Sequence, residues 1–368
     1  QKIRASLEKK GDPEALRMLR FLRMGDLSRT PGNPIAELVS RILKMPSFAS
    51  FDTIKVPEIV PVDMSFDLFN FPPDHPARSA SDSYFPEDGY VLRTHTTVMW
   101  YYYVKQPAIQ ERLRQQLPVA CLAFGKVYRK DEIDRKHMNV FHQMDGWYLV
   151  PKSQKTITVK DLEGVLAEIA QALFGKDIKY RFNQDSFPYT DPSVEMEIDQ
   201  DGKWIEVLGS GIVRPEVLEK LGVDSRIYNG WAFGFGLERL AILSMNLPDI
   251  RLLWSQDPRV QSQLTLGKAY VPVSKYPPVV RDISFVVGKG FVPNNYFDLI
   301  RDIGGDLVEE VQLLDTYEDK EKFGLDKVSY TYRVVYRSNE RTLVSKEVDA
   351  LQEKLYAQTA EQFSAKLR

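Results

Sequence analysis

Two arginines of this chain stand where a triphosphate could be held. Arg129 follows an apolar run at 119–127 and precedes a charged loop, and Arg239 follows the glycine pair of Gly234-Phe-Gly236. A guanidinium group stays charged, and its rigid fork of donors matches phosphate oxygens. A Gly-x-Gly before a helix is often only a tight turn, and an arginine after a strand is usually solvated. Their occurrence beside the Thr94-His-Thr-Thr97 segment indicates phosphate chemistry.

Apolar and alternating runs predict a sheet that positions these arginines. Strands are predicted at 54–62, 90–94, 119–127, 140–150, 180–183, 193–198 and 203–208, and helices at 35–44, 97–104, 159–174 and 237–245. Asn33 and Pro34 fit the N-cap and first position of the helix at 35–44. A proline-rich loop at 69–89 is long enough to suggest that it serves a site. Short connections between strands favour an antiparallel sheet flanked by helices.

The last part of the chain has a different pattern. After a proline-rich stretch at 271–278, strands are predicted at 282–287, 308–317, 327–336 and 365–368, and helices at 294–303 and 345–363. This βαββαβ order is that of a ferredoxin-like domain. The predicted fold class is therefore α+β, an antiparallel sheet flanked by helices with a C-terminal ferredoxin-like domain. The predicted parts are a helical extension at 1–32, a catalytic domain at 33–268, a linker at 269–274 and the tail domain at 275–368.

The composition excludes several classes of protein. With 368 residues, 43% of them apolar and 27% charged, the chain resembles an ordinary globular protein with two or three domains. A net charge of −2 provides no global basic field for nucleic acid. The one cysteine, Cys121, excludes an internal disulfide, fits a reducing compartment and is expected to lie in the core. No apolar stretch is long enough to span a membrane, and residues 1–23 lack a signal-type apolar core.

Longer motifs resemble those of the class II aminoacyl-tRNA synthetases, and within them the phenylalanyl-tRNA synthetases. The segments that carry the resemblance are 74–84, 92–97, Phe141-His-Gln-Met-Asp-Gly146, Phe187-Pro-Tyr-Thr-Asp-Pro-Ser193, 204–211 and 230–240. The tail, with Lys275-Tyr-Pro277, Arg281-Asp282 and Glu340-Arg-Thr-Leu343, resembles the anticodon-binding domain of the same enzymes. Its fusion to the catalytic domain is similar to the single-chain form known from mitochondria.

The resemblance implies an ATP-dependent reaction in two steps. The carboxylate of L-phenylalanine attacks the α-phosphate of ATP, and a ribose hydroxyl of tRNA(Phe) then takes the acyl group. Arg129 and Arg239 are the implied catalytic residues: Arg129 bridges the carboxylate and the α-phosphate, while Arg239 and His137 hold the outer phosphates. Phe141 is expected to stack on adenine, with Arg239 on the other face. The remaining expected ATP contacts are Asp131, Lys136 and Met138.

Glu206 is the implied ligand of Mg²⁺, an ion that prefers oxygen donors and retained waters. It falls in an apolar strand, where an unpaired carboxylate would be costly. The alternative is a glutamate at a strand edge that faces solvent. For Phe141, the alternative is a phenylalanine of the strand core.

Amino-acid recognition needs an anion for the ammonium group and an apolar slot for the ring. The resemblance assigns the polar contacts to His95, Thr97, Gln143 and Asp145, and it includes Trp100 among the residues that bind phenylalanine. Asp145 stands where relatives generally carry glutamate, and Trp100 where many carry glutamine. Phe187 and Tyr189, alternating on one strand face, are expected to flank the ring. Ala232, beside Phe233, is expected to limit the space at the para position.

The remaining expectations concern tRNA, assembly and location. Single-stranded RNA is read by stacking, which Tyr330, Tyr332, Arg333, Tyr336 and Arg337 of the tail could provide, although about half of this run must fill the core. No editing domain is expected, and the fused form is expected to be monomeric.

A bacterial-type cytoplasm is the first expectation for location, with the mitochondrial matrix as the alternative. Two other functions stay open: a non-catalytic paralogue that binds RNA or an amino acid, and an adenylate-forming ligase with another acceptor.

Overall fold

The computed structural model describes residues 2–273 and 276–368. Gln1, Ser274 and Lys275 lie outside the described residues, so the predicted start of the tail domain at Lys275 does too. The chain divides into two compact units. The first consists of Gln1–Arg129, Val140–Leu247 and Leu264–Ala269, and the second of Lys130–Asn139, Pro248–Gln263 and Tyr270–Arg368.

The first unit is built on a seven-stranded sheet with the order β1-β4-β5-β9-β8-β7-β6. The strands, including the separate pair β2 and β3, are β1 Asp52–Ile54, β2 Ile59–Pro61, β3 Tyr90–Leu92, β4 Val119–Tyr128, β5 Val140–Pro151, β6 Tyr180–Phe187, β7 Thr190–Gln200, β8 Lys203–Val213 and β9 Tyr228–Gly236. The helices are α1 Lys2–Lys10, α2 Pro13–Arg23, α3 Pro34–Leu43, α4 Val62–Ser65, α5 Met99–Val104, α6 Pro107–Arg114, α7 Val159–Phe174, α8 Pro215–Leu221 and α9 Leu237–Met245. β1 pairs with β4 in parallel, and all other pairs of this sheet are antiparallel. The predicted antiparallel sheet is confirmed.

Local sequence accounts for the helix starts. The side chain of Asn33 accepts the Ile35 N–H at 3.0 Å, so α3 begins as its capping pattern predicts. Thr158 and Asp161 form a capping box at the start of α7. The turn between β7 and β8 holds Asp201 and Gly202 at φ values of 54° and 82°, which confirms the predicted hairpin.

One strand prediction is wrong, and one strand was not predicted. The single strand expected at 54–62 is divided into β1 and β2, which belong to different sheets. Pro57, between them, has no N–H to donate to a ladder. The unpredicted strand is β9, a central strand whose end contains the Gly-x-Gly that precedes α9.

The N-terminal helices pack on the back of the strands that lead to the candidate site. Apolar residues of α1 and α2 form one buried cluster with Tyr84, Leu92, Tyr128 and Val140. Lys126 of β4, only 3% exposed, donates to main-chain carbonyls at the C-terminal end of α2 and also pairs with a carboxylate, Glu58, at 3.0 Å. A lysine that meets the last carbonyls of a helix complements its dipole.

The second unit contains the predicted ferredoxin-like domain, with a four-stranded sheet in the order β11-β12-β10-β13. Its elements are α10 Pro258–Gln261, β10 Val279–Gly288, α11 Pro293–Gly304, β11 Val308–Tyr317, α12 Lys320–Phe323, β12 Lys327–Tyr336, α13 Ser345–Phe363 and β13 Lys366–Leu367. The βαββαβ order is confirmed. In the described part of the chain, no helix is both long and apolar enough to cross a membrane.

The tail tyrosines lie mainly in the core of this unit. Tyr332 and Tyr336 are 1% exposed, and Tyr330 packs against the same cluster. Tyr332 and Tyr336 therefore belong to the half of this run that was expected to fill the core. Arg333 makes two hydrogen bonds to the carboxylate of Asp282, at 2.8 and 2.9 Å. Arg337 pairs with a buried glutamate, Glu309, at 2.6 Å.

Candidate functional site

The sheet register gathers several predicted ATP contacts at one end of neighbouring strands. β4 ends just before Arg129, β5 begins just before Phe141, and β9 ends just before the helix that carries Arg239. Each neighbouring pair in the order β4, β5, β9, β8 is antiparallel. The ends of β4 and β9 and the starts of β5 and β8 therefore lie at the same edge, and β8 carries Glu206 near its start. The Arg129 guanidinium lies 5.3 Å from the centre of the Phe141 ring, and its Nε donates to the Thr94 carbonyl at 2.8 Å.

Arg239 contacts Glu206 in this structure. Its Nη1 donates to the main-chain oxygen of Glu206 at 3.1 Å and lies 4.0 Å from the carboxylate. Both side chains are about half exposed, at 51% and 52%, so the surrounding water screens their attraction. The cation that faces the Phe141 ring is Arg129, whereas the sequence prediction placed Arg239 beside the adenine that Phe141 would hold.

One face of the sheet carries the predicted amino-acid contacts. Gln143, Asp145 and Trp147 alternate along β5 and therefore point to the same side. Their partners on β9 are small: Gly234 lies opposite Asp145, and Ala232 lies opposite Trp147. A Cβ at Gly234 would lie 2.9 Å from Asp145 Oδ1. The glycine is therefore what leaves room for this carboxylate on the sheet.

Aromatic rings enclose the apolar part of the same face. Phe187 and Tyr189 stack with centroids 5.9 Å apart, and a Cβ at Gly209 would meet the Phe187 ring at 2.6 Å. Tyr189 meets Trp100 edge to face at 5.9 Å, and Trp100 stacks on Trp147 at 5.1 Å. The two rings contact each other and, with Trp100 and Trp147, form the apolar surface that we call the slot, but they do not belong to one strand. β6 ends at Phe187, and Tyr189 lies in the turn before β7 because the chain reverses there.

Phe233 lies on the other side of the sheet. Its ring stacks on Trp231 and Phe235, the alternate residues of β9, at 5.7 and 5.8 Å. Ala232 instead belongs to the buried cluster that contains Trp100 and Trp147. Since neighbouring residues of a strand point to opposite faces, Ala232 lines the slot and Phe233 does not.

Trp100 is a wall of the slot rather than a polar contact. It is fully buried in the apolar cluster and also meets Phe69 edge to face at 5.2 Å. Among the described residues, the indole Nε1 atoms of both Trp100 and Trp147 have no hydrogen-bond partner. Trp100 stands where many relatives carry glutamine, and stacking on Trp147 keeps its ring among apolar neighbours.

Asp145 supplies a buried anion at the polar end of the slot. The Thr97 hydroxyl donates to its Oδ2 at 2.6 Å, and the Thr96 hydroxyl donates to its Oδ1. Burial raises the pKa of Asp145 to about 6, and the two hydroxyl hydrogen bonds only partly offset this effect. The main-chain N–H of Thr96 also donates to Gln143 Oε1 at 3.3 Å. The arrangement suits an incoming ammonium group.

His95 supplies a neutral acceptor at the same end. Burial, aided by the positive charge of Arg129, lowers the pKa of His95 to about 3. Its Nε2 donates to the Ser65 carbonyl at 3.0 Å, so the lone pair is on Nδ1. That Nδ1 atom is buried and has no hydrogen-bond partner among the described residues. A buried acceptor of this kind fits a ligand N–H.

Four of the predicted ATP contacts belong to the second unit and are described within it. The ring Nδ1 of His137 lies 2.8 Å from Asp134 Oδ2, and the main-chain N–H groups of Lys136 and His137 donate to Asp134 Oδ1 at 2.6 and 2.7 Å. The carbonyl of Asp131 accepts from Arg301 at 2.7 Å. Met138 is half-buried. Their convergence with Arg129 on one nucleotide stays a prediction.

The described residues contain no group of three or more histidine, cysteine, aspartate or glutamate side chains that could hold a metal ion. Glu206 is a single half-exposed carboxylate. It fits an ion that keeps most of its waters and takes one protein oxygen, as Mg²⁺ does. Cys121 is fully buried, and burial raises the pKa of its thiol, which confirms its place in the core.

The sequence reasoning missed Thr96, Trp147 and the glycines of the sheet face. Thr96 donates to Asp145, and Trp147 forms one wall of the slot. Period-two alternation from Gln143 through Asp145 would have placed Trp147 on the same face. The glycine positions could not be found locally, because only the facing strand shows what a Cβ would meet.

Comparisons with known proteins agree over most of the chain. A model of the class II core domain (F) of tRNA synthetases matches residues 24–264, and a model of the ferredoxin-fold anticodon-binding domain matches residues 274–368. The chloroplastic/mitochondrial phenylalanine--tRNA ligase of Arabidopsis thaliana is 39% identical over 321 residues, 84% of this chain and 71% of that protein. The mitochondrial ligase of Mus musculus is 36% identical over 342 residues, 83% of this chain and 72% of that protein.

The alpha subunit of the Persephonella marina phenylalanine--tRNA ligase is 36% identical over 276 residues, 70% of this chain and 75% of that protein. The sheet, the site face and the matched core domain define a class II tRNA synthetase. Within that class, the chain belongs to the phenylalanine--tRNA ligase family, in the single-chain form whose catalytic core is joined to an anticodon-binding domain.

The expectation of a bacterial-type cytoplasm is wrong. Relatives that match 83–88% of this chain are named as mitochondrial or chloroplastic enzymes. These names give mitochondria or chloroplasts, rather than a bacterial-type cytoplasm, as the location of the relatives.

Proposed function

We propose that this chain activates L-phenylalanine with ATP and transfers it to tRNA(Phe). The observation that carries the proposal is the slot on the site face. Phe187, Tyr189, Trp100 and Trp147 form a connected set of aromatic contacts that suits a benzyl ring, and Ala232 belongs to the same buried cluster as the two tryptophans. Thr96 and Thr97, which bond to the buried carboxylate of Asp145, directly follow the neutral imidazole of His95, and the positive charge of Arg129 acts on both groups.

The polar end matches the substrate's ammonium group. Asp145, once ionised, provides the negative charge, and Nδ1 of His95 accepts one N–H. An ammonium taken from water into a buried site needs such partners, because unpaired burial of a charge is costly. The hydroxyls of Thr96 and Thr97 hold the carboxylate in place, since each donates to one of its oxygens. The amino acid is thereby oriented with its carboxylate toward Arg129.

Arg129 and Phe141 form the ATP side of the site. Joining a carboxylate to the α-phosphate brings two anions together, so the protein must neutralise charge and align the attack. Arg129, whose Nε donates to the Thr94 carbonyl, would contact both groups. Phe141 offers a ring for adenine. Arg239, with His137, Lys136, Asp131 and Met138, is assigned to the rest of the nucleotide.

Glu206 is the residue that would hold Mg²⁺. The ion would neutralise phosphate charge and would take one carboxylate oxygen here, its other ligands being phosphate oxygens and water. Glu206 already lies beside Arg239, whose Nη1 is 4.0 Å from its carboxylate. The ferredoxin-like domain is assigned to tRNA(Phe), and the chain is assigned a monomeric state.

Phenylalanine-dependent exchange of pyrophosphate into ATP, followed by charging of tRNA(Phe), tests this function. We expect both activities with phenylalanine. Exchange without charging would favour a ligase with another acceptor, and no exchange would favour a non-catalytic paralogue. Light scattering of the purified chain tests the monomeric state.

A further inference from the structure

Behind the strand that carries Phe141 lies a buried pair formed by His142 and Glu238. The imidazole is 0% exposed and the carboxylate 4%. The two oxygens of Glu238 accept the main-chain N–H of His142 at 3.0 and 2.8 Å, and Oε1 lies 2.6 Å from the ring Nδ1. The carboxylate therefore binds both the backbone and the side chain of one residue of β5.

The state of the imidazole follows from its second nitrogen. The main-chain N–H of Leu27 donates to Nε2 at 3.0 Å, so Nε2 carries the lone pair and the ring hydrogen is on Nδ1. A carboxylate oxygen of Asp26 lies 3.5 Å from the same Nε2. The neutral ring thus donates to Glu238 and accepts from Leu27. It joins α9, β5 and the 3₁₀ helix Leu27–Arg29.

The sequence neighbours of this pair are the residues assigned to ATP. His142 follows Phe141, and Glu238 precedes Arg239. Neighbouring strand residues point to opposite faces, so the pair lies behind the sheet while Phe141 points to the site face. Three hydrogen bonds hold the start of β5 to the first turn of α9. The separation between these two elements sets how far Phe141 lies from Arg239.

We propose that His142 and Glu238 are positioning residues for ATP, which fix the spacing between the Phe141 ring and the Arg239 guanidinium. The proposal rests on the proposed function, because it takes those two side chains as nucleotide contacts. A group rigidly held by buried, fully bonded partners costs less to order when its ligand binds. Loss of the pair should therefore weaken ATP binding and leave phenylalanine binding at the other end of the site unchanged.

The test compares His142→Leu, His142→Asn and Glu238→Gln with the unmodified chain. Asparagine places an amide N–H near the position of the ring Nδ1–H, whereas leucine fills space without a donor. The measurements are the Kd for ATP by calorimetry, without phenylalanine, and KM for ATP and for phenylalanine in pyrophosphate exchange. We expect His142→Leu and Glu238→Gln to raise Kd and KM for ATP about tenfold, the scale of a lost buried charged hydrogen bond. His142→Asn should recover most of this loss.

Ser210→Ala is the matched control. Ser210 is a buried residue of β8 whose hydroxyl donates to the Val194 carbonyl at 2.9 Å, and it pairs with Phe233, on the back of the sheet. Its loss should leave both KM values within twofold. The proposal is overturned if folded His142→Leu and Glu238→Gln bind ATP as the unmodified chain does. It is also overturned if KM for ATP and for phenylalanine rise together. If the unmodified chain bound ATP but showed no pyrophosphate exchange, the proposed function would be rejected instead.

Discussion

At the scale of single residues, the buried carboxylate of Asp145 controls when the amino acid can bind. Burial raises its pKa to about 6, so the carboxyl is largely protonated below that pH and ionised above it. Only the ionised form attracts an ammonium group. We expect kcat/KM for phenylalanine to fall about tenfold per pH unit below 6, since this ratio reports groups of the free enzyme. Pyrophosphate exchange across pH 5–8 measures the profile.

Asp145→Asn is the matched variant for this prediction. It keeps the shape of the side chain but removes the charge, so kcat/KM for phenylalanine should fall at least about thirtyfold, corresponding to ~2 kcal/mol. Its remaining activity should not vary across the same pH range. A variant that retained the inflection near pH 6 would show that another group controls binding.

Ala232 limits the length of the substrate ring. Its side chain is 5% exposed and belongs to the aromatic cluster of the slot. Replacement by glycine should admit para-substituted analogues, whereas a larger residue should weaken phenylalanine binding. We expect Ala232→Gly to activate p-chlorophenylalanine in pyrophosphate exchange. Ala123→Gly, a buried position of β4 in the same cluster, is the control and should continue to reject the analogue. Continued rejection by Ala232→Gly would contradict this role.

At the scale of elements, β9 shows why a glycine-rich strand gives little signal in the sequence. A Gly-x-Gly before a helix is often only a tight turn, yet Gly230 and Gly234 serve close packing across the sheet. A Cβ at Gly230 would lie 1.8 Å from the Tyr148 carbonyl oxygen, and one at Gly234 would lie 2.9 Å from Asp145 Oδ1. Local propensity disfavours glycine in strands, but the facing strand permits nothing larger.

Gly234→Ala and Gly236→Ala separate these effects on one strand. The added methyl of Gly234→Ala must displace Asp145, which Thr96 and Thr97 hold. We expect KM for phenylalanine to rise about tenfold, in line with ~1–3 kcal/mol for overpacking. A Cβ at Gly236 meets nothing within 4 Å, so Gly236→Ala should leave KM for phenylalanine unchanged. Equal effects of the two variants would show that backbone strain, rather than contact with Asp145, is responsible.

At the scale of the whole molecule, we expect selection against tyrosine to occur in the slot of the first unit. An apolar slot rejects an added hydroxyl by only about 100-fold unless sterics contribute. The described residues form a synthetase unit and a ferredoxin-like unit. We therefore expect this chain to clear Tyr-tRNA(Phe) no faster than buffer does. Release of tyrosine from purified mischarged tRNA is the measurement. Clearance above the buffer rate would reveal a hydrolytic site.

The sequence by itself determined the class of fold, most elements and the chemistry of the site. The bounds of α7, α9, β11, β12 and α13 follow from periodicity, because helix and strand patterns repeat over many residues. Motifs around Arg129, Phe141 and Asp145 were enough to indicate adenylate chemistry, since each motif is a short continuous stretch.

Only the tertiary structure decided which side chains share a face and which pairs are buried together. In the structure, Phe233 lies behind the sheet, the Trp100 ring lines the slot, and Tyr189 lies in a turn. Tyr332 and Tyr336 are buried in the core of the second unit. His142 and Glu238, which are far apart in the chain, form a buried pair. These outcomes depend on strand register and on contacts between distant segments, and local spacing carries no information about either.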